Sequence, residues 1–278
     1  GYGRIDLAPY VQDISQFAVE SNFQHQICEA GLAPRGFSEG EYQGQCNYAY
    51  HLDAGAFADL LKEHCKNNLG VQHRIGTVER CQLSQDGQIQ ALYLTDGTAP
   101  LEADLFIDCS GFSSLLLGKA LGVPFEPVEH LLFNDSALAM QVPYDTPDAA
   151  IPCHTIATAQ NAGWIWDIGL THRRGVGHVY AGKYLSDDEA EFNLRRYIGP
   201  AAQGISARKI SYQTGHRSKF WQHNCVAIGM SAGFVEPLEA TAIMLVEISA
   251  RFVADNLPAD LATMPLVATR FNQQMLYR

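Results

Sequence analysis

Apolar residues recur at helical intervals in several parts of the chain. Between Asp53, a residue suited to an N-cap, and Gly70, which suits a helix end, they predict one amphipathic helix. The capping-box sequence Ser186-Asp187-Asp188-Glu189 predicts a second helix that ends near Tyr197. Other helices are predicted near Val11–Ser21, from Pro237 onward and beyond Pro265.

Alternating, β-rich segments predict strands between these helices. Asp-Gly pairs at 86–87 and 96–97 are each flanked by strand-like residues, which is typical of hairpins. We therefore expect a three-stranded antiparallel meander between residues 71 and 109, leading into a strand over Leu101–Asp108. The remaining strands are predicted at Ala137–Val142, Trp164–Leu170, Gly177–Lys183, Lys209–Thr214 and Cys225–Ile228. The fold class expected is α/β, in a mixed α+β arrangement.

Composition excludes several kinds of protein. The 278 residues are 47% hydrophobic and 18% charged, which is typical of a folded globular chain. With a formal net charge of −11 and no Lys/Arg-rich run, nucleic acid is not an expected partner. No apolar run approaches the roughly 20 residues that span a bilayer, and no signal peptide is expected from the first residues. The seven cysteines are scattered and never form C-x-x-C, so we expect no metal site and a cytoplasmic location.

Two turns after predicted strands are candidates for ligand binding. Asp108-Cys109-Ser110-Gly111-Phe112 follows one strand, where ligands commonly bind, although an ordinary turn would look the same. Gly229-Met230-Ser231-Ala232-Gly233 follows another strand and enters the helix predicted from Pro237, an arrangement that attracts anions. The alternative for Glu236 and Glu239 is that acids in a first turn only favour the helix dipole.

The second turn also matches the G-x-S-x-G nucleophile elbow of α/β-hydrolases, with Ser231 as the nucleophile. In that fold the histidine follows the serine, but all ten histidines here precede Ser231. A hydrolase is therefore rejected unless the protein continues past Arg278. The third candidate is Gly163-Trp164-Ile165-Trp166, in which both tryptophans point to one face of a strand, either as core packing or as the wall of a tunnel.

Together these segments resemble the flavin-dependent tryptophan halogenases. Gly163–Ile168 is similar to the W-x-W-x-I-P motif of that family, with Gly169 in place of its proline. Further segments fit the family in order from about residue 47 to 250: Asn47–Ala54, Ala103–Phe112, Leu185–Ala190 and Asn224–Glu239.

The resemblance implies an FAD-dependent monooxygenase-like fold with an antiparallel substrate-side sheet and C-terminal helices. FADH2 from a separate flavin reductase would react with oxygen, and chloride or bromide would be oxidised to hypohalous acid. This acid would pass through a tunnel to an electron-rich aromatic such as indole or tryptophan. The resemblance makes Glu239 catalytic, Thr241 and Ala242 halide-binding, and Trp164 and Trp166 tunnel residues; Asp108, Gly111, Gly229 and Met230 would bind FAD.

The sequence also departs from the family. The family's E-S-T-G reads Glu239-Ala240-Thr241-Ala242, which removes a hydroxyl and adds a methyl group near the halide. The family's dinucleotide fingerprint, catalytic lysine and C-terminal helical segment do not appear in the sequence. A related flavin monooxygenase or hydroxylase, or a non-catalytic halogenase-like fragment, therefore stays open.

Three regions are expected along the chain. Residues 1–130 would form part of the FAD-binding region, including the meander at 71–109. Residues 131–215 would form the substrate-side sheet, and residues 216–278 would return to the FAD and halide region.

Overall fold

The computed structural model describes residues 13, 19–20, 23–44 and 47–277. Nearly all residues of the helix predicted near Val11–Ser21 lie outside the described part of the chain. The α-helices of the described part are α1 (Gln24–Glu29), α2 (Ala54–Asn68), α3 (Asp187–Ile198), α4 (Thr241–Asp255) and α5 (Met264–Leu276). None of the helices in this part is long and apolar enough to cross a membrane.

The strands alternate with short helical turns along the chain. They are β1 (Val78–Leu83), β2 (Ile89–Leu94), β3 (Phe106–Asp108), β4 (Phe125–Pro127), β5 (Ser136–Pro143), β6 (Ile156–Gln160), β7 (Gly163–Gly169), β8 (Arg173–Tyr180), β9 (Arg208–Ser211), β10 (Gly215–Arg217), β11 (Trp221–Gln222), β12 (Cys225–Ala227) and β13 (Gly233–Phe234). Helices and sheets are thus interleaved, and the mixed α/β class is confirmed.

The chain divides into two compact units that are discontinuous in sequence. The first comprises the described residues up to Gly70 together with Ala137–Val179 and Leu185–Lys209. The second comprises Val71–Ser136, Tyr180–Tyr184 and the described residues from Ile210 onward. The three regions expected from the sequence stay a prediction.

The first unit is built on a sheet of five strands in the order β6-β7-β8-β5-β9. Strands β6 and β7 pair in antiparallel register from Ile156↔Asp167 to Gln160↔Gly163. Helix α3 buries Leu194 and Ile198, and its Ala190 carbonyl lies 3.1 Å from Nδ1 of the buried His178 on β8. Helix α3 therefore packs against β8.

The second unit has a short parallel pair at its centre, in which β12 pairs with β3. Cys225 and Ala227 lie in a core cluster with residues such as Leu117, whereas Val226 and Ile228 lie in another with Phe271 of α5. Because alternate residues of β12 enter different clusters, the strand is buried on both sides. The side-chain amide of Asn224 bonds both backbone groups of Ile89 and so joins β2 to this centre.

Local capping signals predict helix limits correctly. Asp53 caps α2 by accepting from the amides of Gly55 (3.0 Å) and Ala56 (3.1 Å), and Gly70 follows its end with φ +68°. Ser186 and Glu189 form the expected reciprocal capping box at α3. The last helix is predicted beyond Pro265; α5 is present but begins one residue before this proline, at Met264, so that Pro265 lies in its first turn. These three helix predictions are confirmed.

The strand predictions are confirmed in part. The Asp86-Gly87 hairpin joins β1 to β2. The predicted third meander strand is reduced to one antiparallel bridge, Leu92↔Leu101. The strand expected over Leu101–Asp108 covers only Phe106–Asp108 and pairs in parallel with β12. The strand predicted over Gly177–Lys183 corresponds to β8, which starts earlier, at Arg173. Strand β6 was not predicted.

Candidate functional site

The two candidate turns of the second unit lie side by side because β3 and β12 end together. In the parallel pair, Asp108 is opposite Ala227, and the amide of Ile228 donates to the Asp108 carbonyl at 3.1 Å. The turns after both strands therefore emerge from the same edge of the sheet. Strand ends of this kind are where open α/β sheets bind ligands.

The Asp108 carboxylate holds the first turn together. Its Oδ1 accepts from the amide (3.0 Å) and hydroxyl (2.5 Å) of Ser110, and its Oδ2 accepts from the amides of Leu116 and Leu117, both at 2.9 Å. A carboxylate has about four acceptor positions, so these bonds fill them. The side chain of Asp108, which is predicted to bind flavin, thus shapes this turn.

Ser231 ties the second turn to the first. Its buried hydroxyl lies within hydrogen-bonding distance of the carbonyls of Asp108 and Ile228. Ser114, also buried, donates to the Ser231 carbonyl at 2.9 Å. A hydroxyl directed at backbone carbonyls inside the protein is a structural bond, which agrees with the rejection of a hydrolase nucleophile.

Two glycines give these turns backbone conformations that other residues rarely adopt. The φ of Gly111 is +66° and that of Gly229 is +74°. A Cβ added to Gly111 would stand in open space, because its nearest contact would be Cε of Met230, 3.9 Å away. The half-exposed side chains of Met230 and Phe112 flank this opening. Three predicted flavin residues, Gly111, Gly229 and Met230, thus border an accessible surface.

The segment after the second turn crosses to another sheet of the same unit. Strand β13 pairs with β10 through Gly215↔Phe234 and His216↔Gly233. The Phe234 ring makes edge contacts with Phe112, at 5.4 Å between centroids, and with Tyr212, at 4.9 Å. Nδ2 of Asn134 donates to Oε1 of Glu236 at 2.6 Å. The chain leading to Glu239 is thus held by backbone, ring and side-chain contacts.

The prediction of a helix from Pro237 is wrong. Pro237–Glu239 forms a separate 3-10 turn, and Ala240 then adopts the left-handed conformation with φ +53°. That conformation breaks the helical path, so α4 begins only at Thr241. Glu239 is therefore the last residue of the short turn, and Thr241 and Ala242 are the first two of α4.

The start of α4 offers donors to an anion. No side chain of the described residues caps it, and no acid lies in its first turn. Free amides at a helix start attract anions. The two residues predicted to bind halide, Thr241 and Ala242, are the first two of this helix. A Cβ on Gly229 would lie 3.5 Å from Cγ2 of Val246. This contact brings α4 against the Gly229 turn.

The paired tryptophans belong to the first unit. As predicted, Trp164 and Trp166 share one face of β7, with ring centroids 6.2 Å apart and planes at 62°. Neighbouring Asp167 is buried; its Oδ2 accepts from Nη1 of Arg174 at 2.9 Å and from the Tyr197 hydroxyl at 3.3 Å. Burial raises the pKa of Asp167, although the Arg174 charge and the Tyr197 bond oppose the shift.

Sequence reasoning missed several residues that shape the site. Asn134, Tyr212 and Ser114 lie outside the quoted motifs, and no local pattern marks them. Their partners are 22 to 117 residues away: Phe234 for Tyr212, Glu236 for Asn134 and Ser231 for Ser114. Among the described residues, no three His, Cys, Asp or Glu side chains come together in a way that could hold a metal ion.

Comparison with known proteins identifies the family. The family described as Tryptophan halogenase matches residues 10–278. Tryptophan 6-halogenase SttH of Streptomyces toxytricini is 42% identical over 241 residues, which are 86% of this chain and 46% of that protein. The crystal structure of a tryptophan halogenase from Shewanella frigidimarina NCIMB 400 is 41% identical with a TM-score of 0.89, covering 100% of this chain and 54% of that one.

A third relative, BrvH, is a flavin-dependent halogenase from Brevundimonas sp. BAL3. Its structure is 36% identical with a TM-score of 0.80, covering 90% of this chain and 50% of its own. The chain therefore belongs to the tryptophan halogenase family and has the fold of the flavin-dependent halogenases. It spans about half the length of the relatives it matches.

Proposed function

We propose that this chain supplies the flavin- and halide-binding part of a flavin-dependent halogenase. The enzyme would use FADH2, oxygen and chloride or bromide to halogenate an electron-rich aromatic such as tryptophan or indole. One observation carries the proposal: the Gly111 and Gly229 turns emerge together, and the uncapped start of α4 at Thr241 lies in the same unit.

The residues at these turns fit a flavin. The open space beside Gly111 lets a flat ligand approach the backbone, and Met230 and Phe112 offer apolar contact. Asp108 would act indirectly, because its carboxylate is occupied by four bonds within its own turn. When bound in reduced form, FAD supplies the electrons for the reaction of oxygen with halide.

The other residues would handle the halide and the aromatic ring. The hydroxyl of Thr241 and the backbone of Ala242, at the start of α4, would hold the halide. Glu239, two residues before Thr241, would polarise the halogenating agent or accept the ring proton as a general base. Trp164 and Trp166 would form part of the tunnel wall.

The substrate and partners are proposed from the relatives. SttH is a tryptophan 6-halogenase and the Shewanella protein a tryptophan halogenase, so tryptophan and simpler indoles are tested first. FADH2 would come from a separate flavin reductase. We place the protein in the cytoplasm, since its described cysteines are free thiols and so fit a reducing compartment.

The test is product formation by the protein that carries this chain. It is incubated with FAD, a flavin reductase, NADH, tryptophan or indole, and either chloride or bromide, and products are analysed by mass spectrometry. We expect a mass increase equal to replacement of one hydrogen by the halogen. Glu239→Gln should abolish it, whereas Glu63→Gln, at an exposed site on α2, should not.

Three results would each contradict a different part of the proposal. No halogenated product from any of a panel of aromatics with either halide would overturn halogenation. Hydroxylated product under the same conditions would instead identify a related flavin monooxygenase. Full activity of Glu239→Gln would remove that residue from the mechanism.

A further inference from the structure

Asn134 makes a long-range contact with the segment that carries the proposed catalytic residue. It lies two residues before β5, and only 6% of it is exposed. Its Nδ2 donates to Oε1 of Glu236 at 2.6 Å across 102 residues of sequence. A hydrogen bond from an amide to a buried or half-buried carboxylate is charge-assisted, and it is stronger than one between neutral groups.

Tyr212 reinforces this contact. Its amide donates to the carbonyl of Asp135 at 2.9 Å, which places it beside the Asn134 segment, and its ring packs on Phe234. Burial and the negative charges of Glu236 and Asp135 raise the pKa of Tyr212, so its hydroxyl stays protonated. The Asn134 amide and the protonated Tyr212 hydroxyl are therefore both uncharged, so neither repels the negative charge of Glu236.

Glu236 is well placed to control the turn that comes directly after it. On its N-terminal side, the chain is held by the pairing of β13 with β10 and by the bond from the Arg217 amide to the Ala232 carbonyl, 2.7 Å. On its C-terminal side, Glu236 directly precedes the Pro237–Glu239 turn and the left-handed Ala240. The Asn134 bond therefore anchors the chain immediately before the turn that ends in Glu239.

We propose that Asn134 is a positioning residue for the halogenation step. Its bond to Glu236 fixes the Pro237–Glu239 turn and so sets Glu239 relative to Thr241 and Ala242. The inference rests on the proposed function, because it gives Glu239 the catalytic role. An error of about 1 Å in the placement of a general base is enough to slow a reaction about a hundredfold, so such a bond is expected to affect turnover.

Exchange of the two side chains tests whether the bond itself matters. Asn134→Asp places two carboxylates together and breaks the bond. Adding Glu236→Gln restores a donor and an acceptor with the polarity reversed. We expect Asn134→Asp to lower kcat roughly tenfold or more while KM for the aromatic changes less than about threefold. The double variant should recover most of the lost kcat, which a cycle of single and double variants measures as coupling.

Hydrogen exchange of the backbone amides provides a reading that needs no turnover. In Asn134→Asp, the amide of Ala240, which donates to the Pro237 carbonyl at 3.0 Å, should exchange faster than in the wild type, and the double variant should restore the wild-type rate. Asn67→Asp is the matched control, because Asn67 donates to Glu63 at 3.2 Å on the exposed surface of α2. It should change neither kcat nor the exchange of the Ala240 amide.

The outcomes separate this inference from the proposed function. Wild-type protein without halogenation would overturn the proposed function. Unchanged exchange in Asn134→Asp, or a double variant no better than the single one, would overturn the positioning role. So would a loss confined to stability, with normal kcat for the folded fraction. If Asn134→Asp does not fold, Asn134→Ala removes the bond without adding charge, and the same loss of kcat at constant KM is expected.

Discussion

The indole of Trp166 packs against Gly177 on the neighbouring strand of the five-stranded sheet. A Cβ on Gly177 would stand 2.1 Å from Cζ2 of the indole and 2.6 Å from the carbonyl oxygen of Leu138. These distances are far shorter than van der Waals contact, so a glycine is required there by packing. The glycine lets the Trp166 ring lie close to the sheet beside Trp164.

This packing predicts that Gly177→Ala is strongly destabilising. The indole and the strand would both have to move, and overpacking of this kind typically costs about 1–3 kcal/mol. Urea unfolding followed by tryptophan fluorescence measures the loss. Gly175→Ala on the same strand is the control, because its Cβ would meet only Nη1 of Arg173, at 4.0 Å. Equal stability of the two variants would contradict the packing explanation.

Asp108→Asn is predicted to destabilise the protein in the absence of any ligand. An asparagine cannot accept four hydrogen bonds, and its NH2 group would face the amide donors that now bind the carboxylate. Leaving buried donors unsatisfied costs roughly 1–3 kcal/mol each, so a loss of a few kcal/mol is expected. Urea unfolding without FAD is the measurement, with exposed Asp104→Asn as the control.

A different result would assign Asp108 another role. If Asp108→Asn unfolds like the wild type but binds FAD much more weakly, the carboxylate contacts the flavin directly. Titration of both proteins with FAD, followed by flavin fluorescence, distinguishes the two cases.

The features that the sequence predicts correctly are those determined by short segments. Asp53 and Ser186 cap helices through amides two or three residues away, so their helices are predictable from local sequence. The same holds for the Asp86-Gly87 turn. The identifying motifs are also contiguous, which is why the family could be predicted.

What the sequence could not predict depends on distant partners. Nothing local requires Ala240 to adopt φ +53°, so a helix was expected from Pro237 although α4 begins at Thr241. The segment before Asp108 pairs with β12, more than 100 residues later, and only three of its residues form a strand. The bond from Asn134 to Glu236 is equally non-local.

Asp167 predicts a pH dependence of stability. Its pKa is raised mainly by burial, so the folded state holds the proton more tightly than the unfolded state, whose carboxyl titrates near pH 4. Stability from this group is therefore fully present below about pH 4 and is lost as the pH rises through the folded pKa. The unfolding free energy of Asp167→Asn relative to that of the wild type should therefore increase as the pH rises. Urea unfolding from pH 4 to 7 measures this difference.

The quantity to measure is the difference in unfolding free energy between the two proteins, because other groups titrate in the same range. A difference that is independent of pH would show that Arg174 and Tyr197 compensate fully for the burial of the charge. Exposed Asp104→Asn should show no such trend.

Ala242 predicts a change of halide preference, if the chain halogenates as proposed. The family has glycine at this place, and the additional methyl group at the start of α4 takes up space where the halide would bind. Bromide is larger than chloride, so Ala242→Gly should favour bromide. One methyl group in a pocket is worth about 1–3 kcal/mol of discrimination, so the ratio of brominated to chlorinated product should rise by about tenfold.

A competition assay with equal chloride and bromide concentrations, read by mass spectrometry, measures the ratio directly. Ala254→Gly makes the same change at an exposed site later in α4 and should leave the ratio unaltered. Because glycine weakens the helix in both variants, a common loss of stability cancels in the comparison. An unchanged ratio in Ala242→Gly would place the halide away from the start of α4, and Thr241 would then lose its proposed role as well.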